Sequence, residues 1–232
     1  MMLAVALAVS GGLSRVAART PVTTCDQRLD QPGERYELAH DLTCRDNAVV
    51  ITASEVHFDL NGFTLSLDLE QEIPHGRGIR VVAPSCASPL VGVVITGGTV
   101  ADFDVGIELR CTTDARVSGM TLSGNGVGIG LRDSRHARLR GNALTGNSIG
   151  IDVFATTASQ IRDNAILSGG GAGLGIDLSS GATGNLVQRN TAQGHFLDLR
   201  DENLPAACVN TWRDNTFATD NEGDGPGAGC IQ

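Results

Sequence analysis

The sequence predicts an all-β solenoid of about seven coils, and three observations predict it. First, a four-residue phrase returns about every two dozen residues: Gly78-Ile79-Arg80-Val81, Gly106-Ile107-Glu108-Leu109, Gly128-Ile129-Gly130-Leu131, Gly150-Ile151-Asp152-Val153 and Gly175-Ile176-Asp177-Leu178. Phe196-Leu197-Asp198-Leu199 reads as a degenerate sixth copy. The apolar second positions lie 28, 22, 22, 25 and 21 residues apart, the length of a unit that cannot bury its apolar face alone and must stack on its neighbours. Second, each copy has a second half: Val117-Ser118-Gly119-Met120-Thr121-Leu122, then Leu139 to Leu144, Ile161 to Ile166, Val187 to Ala192 and Trp212 to Phe217. Third, apolar and polar residues alternate within both halves, so each half reads as a short strand with one face inward. The intervening Gly, Asn and Asp supply turns, and no window of twelve residues beyond the leader has helical periodicity.

Taken in order, Leu3 to Leu13 is a short apolar run, and Val16-Ala17-Ala18 is a small-residue cleavage site, although no basic residue precedes the run. Residues 1–18 therefore read as a signal peptide, too short to span a bilayer. That makes the chain a secreted or periplasmic protein without a membrane span, expected to be a monomer. Residues 19–48 read as an N-terminal cap, 49–217 as the stacked repeats and 218–232 as a C-terminal cap tail. Six cysteines in an exported chain suggest three disulfides, and sequence alone leaves fifteen pairings. Position narrows them to Cys25 with Cys44, Cys86 with Cys111 about one coil apart, and Cys208 with Cys230. A solenoid exposes strand edges at both ends, and cross-linked caps are one way of covering them. No pair has the close spacing that a zinc site uses.

Asn142, Asn164, Asn190 and Asn215 fall at the same place in successive copies, where a residue that tolerates the left-handed conformation is favoured. Stacked, they would form an internal asparagine ladder. The two phrases in register resemble the secreted right-handed parallel β-helix repeat family, the superfamily of pectate lyases, polygalacturonases, alginate epimerases and phage tailspikes. The resemblance covers roughly residues 49–217 and implies a single-stranded right-handed parallel β-helix. It matches no specific enzyme family. The chain has no lysine, which excludes members that rely on a lysine base, and it lacks the Gly-His-Gly element of polygalacturonases and the Asp-Pro-His signature of alginate epimerases.

Function must come from what points outward. Between the inward apolar positions of the first strand, the sequence places Arg80, Glu108, Gly130, Asp152, Asp177 and Asp198 in one file, with Val82, Arg110, Arg132, Phe154, Ser179 and Arg200 beside it. Parallel rungs lie about 4.8 Å apart. Two carboxylates at that spacing repel by about 1 kcal/mol in water and about 3 to 4 kcal/mol at an effective dielectric of 20, so the file wants a cation, a proton or arginines. As a site, Gly130 opens a notch between Glu108 and Asp152. A sugar stacks on Phe154 there, while Arg110, Arg132 and Arg200 hold carboxylate or sulfate groups. A glycoside hydrolase would use Asp152, Asp177 and Glu108. A polysaccharide lyase would use Asp152, Asp177 and Asp198 to hold Ca²⁺, the one cofactor the pattern suggests, with an arginine or His195 as base.

The alternative is a non-catalytic extracellular structural or adhesion module, because exposed charge is what any soluble solenoid carries. A second file, Arg140, Arg162, Gln188 and Arg213 with Arg116 and Arg138 just before it, fits an anionic polymer or an ordinary solvated row. Net charge of -9 and the lack of basic segments with interleaved aromatics argue against nucleic acid. The expected partner is an extracellular, acidic polysaccharide.

Overall fold

Stacking itself requires the glycine of the recurring phrase. In the computed structural model, which describes residues 19–70, 75–203, 208–222 and 229–231, a Cβ on Gly106, Gly128 or Gly150 would lie 2.8, 2.6 or 2.5 Å from the carbonyl oxygen of the phrase glycine one coil further on. These glycines have ordinary backbone angles, so the requirement is room, not conformational freedom. The expected leader, residues 1–18, and parts of the C-terminal tail lie outside the described residues.

Eight parallel strands form the first sheet: Gln27–Leu29, Val49–Ile51, Arg77–Val82, Val105–Arg110, Val127–Arg132, Ile149–Phe154, Leu174–Leu178 and Leu197–Asp201. Ile79, Ile107, Ile129, Ile151, Ile176 and Leu199 form one inward column, all fully buried. Burying each such side chain contributes about 1.5 to 3 kcal/mol. The ladder begins one rung earlier than the repeats suggest, at Gln27–Leu29, inside the segment expected to be a cap. That rung lacks the phrase because Asp26 stands where later coils have glycine, as Ala48 does in the next rung, and only the strand pairing exposes the equivalence.

The second sheet has fourteen strands and supplies the other two walls of each coil. Val94–Ala101 and Arg116–Ser123 run through both walls, whereas later coils divide into an entry strand and an exit strand, such as Arg138–Arg140 with Ala143–Thr145 and Gln160–Arg162 with Ala165–Leu167. Both long strands and split coils bend at one place, and the residue at the bend has positive φ: Gly97 (67°), Gly119 (64°), Gly141 (63°), Asp163 (57°), Arg189 (53°) and Asp214 (56°). The left-handed position is therefore the residue before each repeated asparagine, not the asparagine.

That asparagine turns inward and builds the expected ladder. The backbone N–H of Asn142 and its Nδ2 both donate to Asn164 Oδ1 (3.1 and 2.9 Å), and Nδ2 also donates to the Val117 carbonyl (3.2 Å). Asn164 repeats the pattern onto Asn190, and Asn190 onto Asn215. Further ladders line the other corners. Asn125 donates to Asn147 from its amide and Nδ2 at 3.0 Å each, and Ser159, Asn185 and Asn210 stack in the same way. These side chains satisfy the backbone groups that a turn leaves unpaired inside the solenoid.

All three expected disulfides are present, Cys25–Cys44, Cys86–Cys111 and Cys208–Cys230. The first and last lie at the two ends, and Cys86–Cys111 ties neighbouring coils. Among the described residues, no helix is long and apolar enough to cross a membrane.

Candidate functional site

The outer face of the eight-stranded sheet presents Arg80, Glu108, Gly130, Asp152 and Asp177 in one column of register partners, as expected. The sixth member is different. Asp177 pairs with Arg200, and Ile176 with Leu199, so the degenerate copy is displaced by two residues and Asp198 leaves the file. Asp198 takes instead the place of a phrase glycine, where a Cβ on Gly175 would meet its carbonyl. The last full rung has room there for a side chain, and the Asp198 carboxylate uses it. It accepts from the His195 amide (3.0 Å), from Ala218 N (2.8 Å) and from Thr219 N (3.3 Å).

The displacement also corrects three roles. The expected metal site of Asp152, Asp177 and Asp198 does not form. His195, with its side chain 1% exposed and Nδ1 3.2 Å from Asp198 Oδ1, is sealed inside the last coil and has no path to a polymer on the outer face. Arg200 stands in the carboxylate file itself rather than beside it. Among the described residues, the one group of three potential metal ligands within 4.8 Å is Cys86, Cys111 and Asp133, and those cysteines are joined to each other.

Every carboxylate of the file is held by arginine. Glu108 lies 2.9 Å from Arg77 and 3.3 Å from Arg80. Asp152 accepts from Arg132 at 2.8 Å. Asp177 receives Arg200 in a two-pronged contact, Nε to Oδ1 at 2.7 Å and Nη2 to Oδ2 at 2.5 Å, the fork geometry that arginine and carboxylate share. Ser179 Oγ lies 3.2 Å from Asp152 Oδ1 and 3.3 Å from Asp177 Oδ2. A hydroxyl has one hydrogen to donate, so it satisfies the two acids only in turn. Burial pushes the Asp152 carboxyl above its ordinary range against the pull of Arg132, and the neighbouring Asp177 charge pushes the same way.

What remains open on this face is limited. Phe154 is 40% exposed. Arg110 is exposed and joins no ion pair among the described residues. A Cβ on Gly130 would touch only Val105 and Val127, at 3.8 and 4.0 Å, so the notch between Glu108 and Asp152 is real space that a side chain could fill. Sequence reasoning missed Arg77 and the bridging role of Ser179. Arg77 carried a signal, since it is the one charged member of a column otherwise made of Val105, Val127, Ile149, Leu174 and Leu197.

The family model described as a right-handed β-helix region matches residues 72–222, and the chain belongs to that family. Among solved structures, the crystal structure of the Dettilon tailspike protein (gp208) is similar, with a TM-score of 0.53 over 84% of this chain at 16% identity. The chain spans 38% of that protein's length, and the likeness is one of fold. No curated protein matches the sequence.

Proposed function

We propose that this chain is a secreted β-helix module that binds an extended, acidic extracellular polysaccharide on the outer face of the eight-stranded sheet without cleaving it. The observation that carries this reading is that each file carboxylate is already committed to arginine, whereas Phe154, Arg110 and the Gly130 notch remain available. A carboxylate neutralised by arginine attracts a metal ion less strongly. An exposed ring with a free guanidinium two rungs along the same column is what a chain of sugars carrying acid groups requires. Flat, repetitive rungs suit a chain-like ligand better than a compact one.

A glycoside hydrolase is the second reading, favoured by one observation: Asp152 and Asp177 share Ser179 on adjacent rungs, and burial raises one of them. A carboxyl raised by burial, one rung from a second, is a usual arrangement for a general acid and its partner. One experiment separates the readings. The purified chain is incubated with uronic-acid and neutral polysaccharides, with and without Ca²⁺, following binding by calorimetry, unsaturated products by ultraviolet absorbance and new reducing ends. Binding to uronic-acid polymers without products, unaffected by Ca²⁺ and weakened in Phe154→Ala, is expected. New reducing ends that vanish in Asp152→Asn would replace binding with hydrolysis, and absorbing products would make the protein a lyase.

A further inference from the structure

The entry strands of the fourteen-stranded sheet form a second outer face, and its charge is unlike the rest of the molecule. From Val94 to Arg213, the outward positions form two columns of register partners. One reads Val94, Arg116, Arg138, Gln160, Leu186 and Thr211, the other Thr96, Ser118, Arg140, Arg162, Gln188 and Arg213. No acid occupies any of these positions in a chain that carries 26 acids and 17 arginines. The bordering carboxylates are already engaged: at the bends Asp163 with Arg140 (3.1 Å) and Arg189 (2.7 Å) and Asp214 with the Gln188 amide (3.0 Å), and on the rung before Thr96 its partner Asp59 with Arg19. Arg116, Arg138, Arg162 and Arg213 join no ion pair among the described residues.

Two further observations point to an anion here. Arg138, Arg140, Gln160, Arg162 and Arg189 line a groove of about 400 Å³ floored by Leu139. The Nε of Arg162 is shielded from solvent and has no hydrogen-bond partner, a cost that native proteins accept rarely and that an acceptor in the groove would remove. Where the same limb continues toward the N-terminus, His57 is held below its ordinary range, by burial first and then by the positive charges of Arg35 and Arg116.

We infer that this arginine face is an anion-binding surface that takes the carboxylate or sulfate groups of a linear acidic polysaccharide. Planar guanidinium forks match both groups, and the rungs repeat them about 4.8 Å apart along the solenoid. Nucleic acid fits less well, because the face has no aromatic side chain on which a base could stack. This surface is separate from the outer face of the eight-stranded sheet, so binding at one can fail while binding at the other persists.

Calorimetric titration of the disulfide-intact chain uses four probes: heparin for sulfate, polygalacturonate for carboxylate, dextran as the neutral control and random duplex DNA as the phosphate polymer. Expected are binding of heparin or polygalacturonate that weakens with salt, none of dextran, and DNA weaker than the better glycan. In the double variant Arg138→Gln with Arg162→Gln, affinity falls about tenfold or more and the logarithmic salt slope drops by about two, one for each arginine that no longer neutralises an anionic group. Arg138→Glu, at an exposed position without an ion-pair partner, lowers affinity at unchanged melting temperature. In Phe154→Ala the salt-dependent component that the arginine variants remove persists, which separates it from the first site. Wild-type affinity in both arginine variants, no binding of either acidic glycan, or tighter binding of DNA than of both would overturn the inference. The glycan that binds better identifies the acid group.

Discussion

Asp152 shows how one position on the outer face is balanced. Burial raises its carboxyl while Arg132 stabilises the charge, and burial is the larger effect. A carboxyl whose folded pKa lies above its usual 3.8 supplies stability that is complete below that value and lost as pH rises through the folded pKa. Urea unfolding of the wild type and Asp152→Asn across a pH range from acid to neutral should therefore show the wild type losing ground to the variant as pH rises through that window. A difference that grows in favour of the wild type instead would mean that Arg132 dominates. Gly130 gives a complementary test. Its ordinary backbone and open surroundings mean that Gly130→Ser leaves melting unchanged or slightly raised, since strand glycine is destabilising by about 0.5 to 1 kcal/mol relative to alanine. The same change fills the notch, so weaker polysaccharide binding with intact folding is expected by calorimetry.

At the scale of one coil, the repeated asparagine does what the side chains of a turn cannot do locally. Asn164 donates to the Leu139 carbonyl and to Asn190, and accepts from both donors of Asn142, so it joins three coils. Asn164→Ala leaves several buried polar groups unpaired, at about 1 to 3 kcal/mol each before relaxation, and a loss of at least about 3 kcal/mol is expected in denaturant unfolding. A loss below about 1 kcal/mol would mean that water replaces the amide. This ladder was legible in the sequence because four asparagines recur with their apolar partners. The corner ladder of Ser159, Asn185 and Asn210 was not, since the position changes residue type from serine to asparagine along the stack. The bend residue was also misplaced: asparagine matches the left-handed preference by type, but the interior hydrogen bonds claim it, and Gly141, Asp163, Arg189 and Asp214 take the strained angle.

Across the whole molecule, each coil touches mainly its neighbours, so stability is a sum of rungs and interfaces and the ends govern fraying. Replacing Cys208 and Cys230 with serine should strip hydrogen-exchange protection from Leu197–Asp201 and Thr211–Arg213 while Val127–Arg132 stays protected. Uniform loss along the solenoid would mean that it unfolds as one unit. The coil, the inward columns, the asparagine ladder and the disulfide partners all follow from the amino-acid order alone, because a strict repeat makes each residue's neighbour the equivalent residue one period away. The ends and the faces needed the folded chain. At the last rung only the short stretch 218–220 stacks on the phrase-glycine position in place of a full coil, so Asp198 enters the interior, the register moves by two and the expected metal site dissolves. On the outer faces, pairing depends on side-chain reach across rungs, which periodicity does not encode. Arginine therefore closes the carboxylate file of one face and leaves the outward positions of the second, from Val94 to Arg213, positive and without acids.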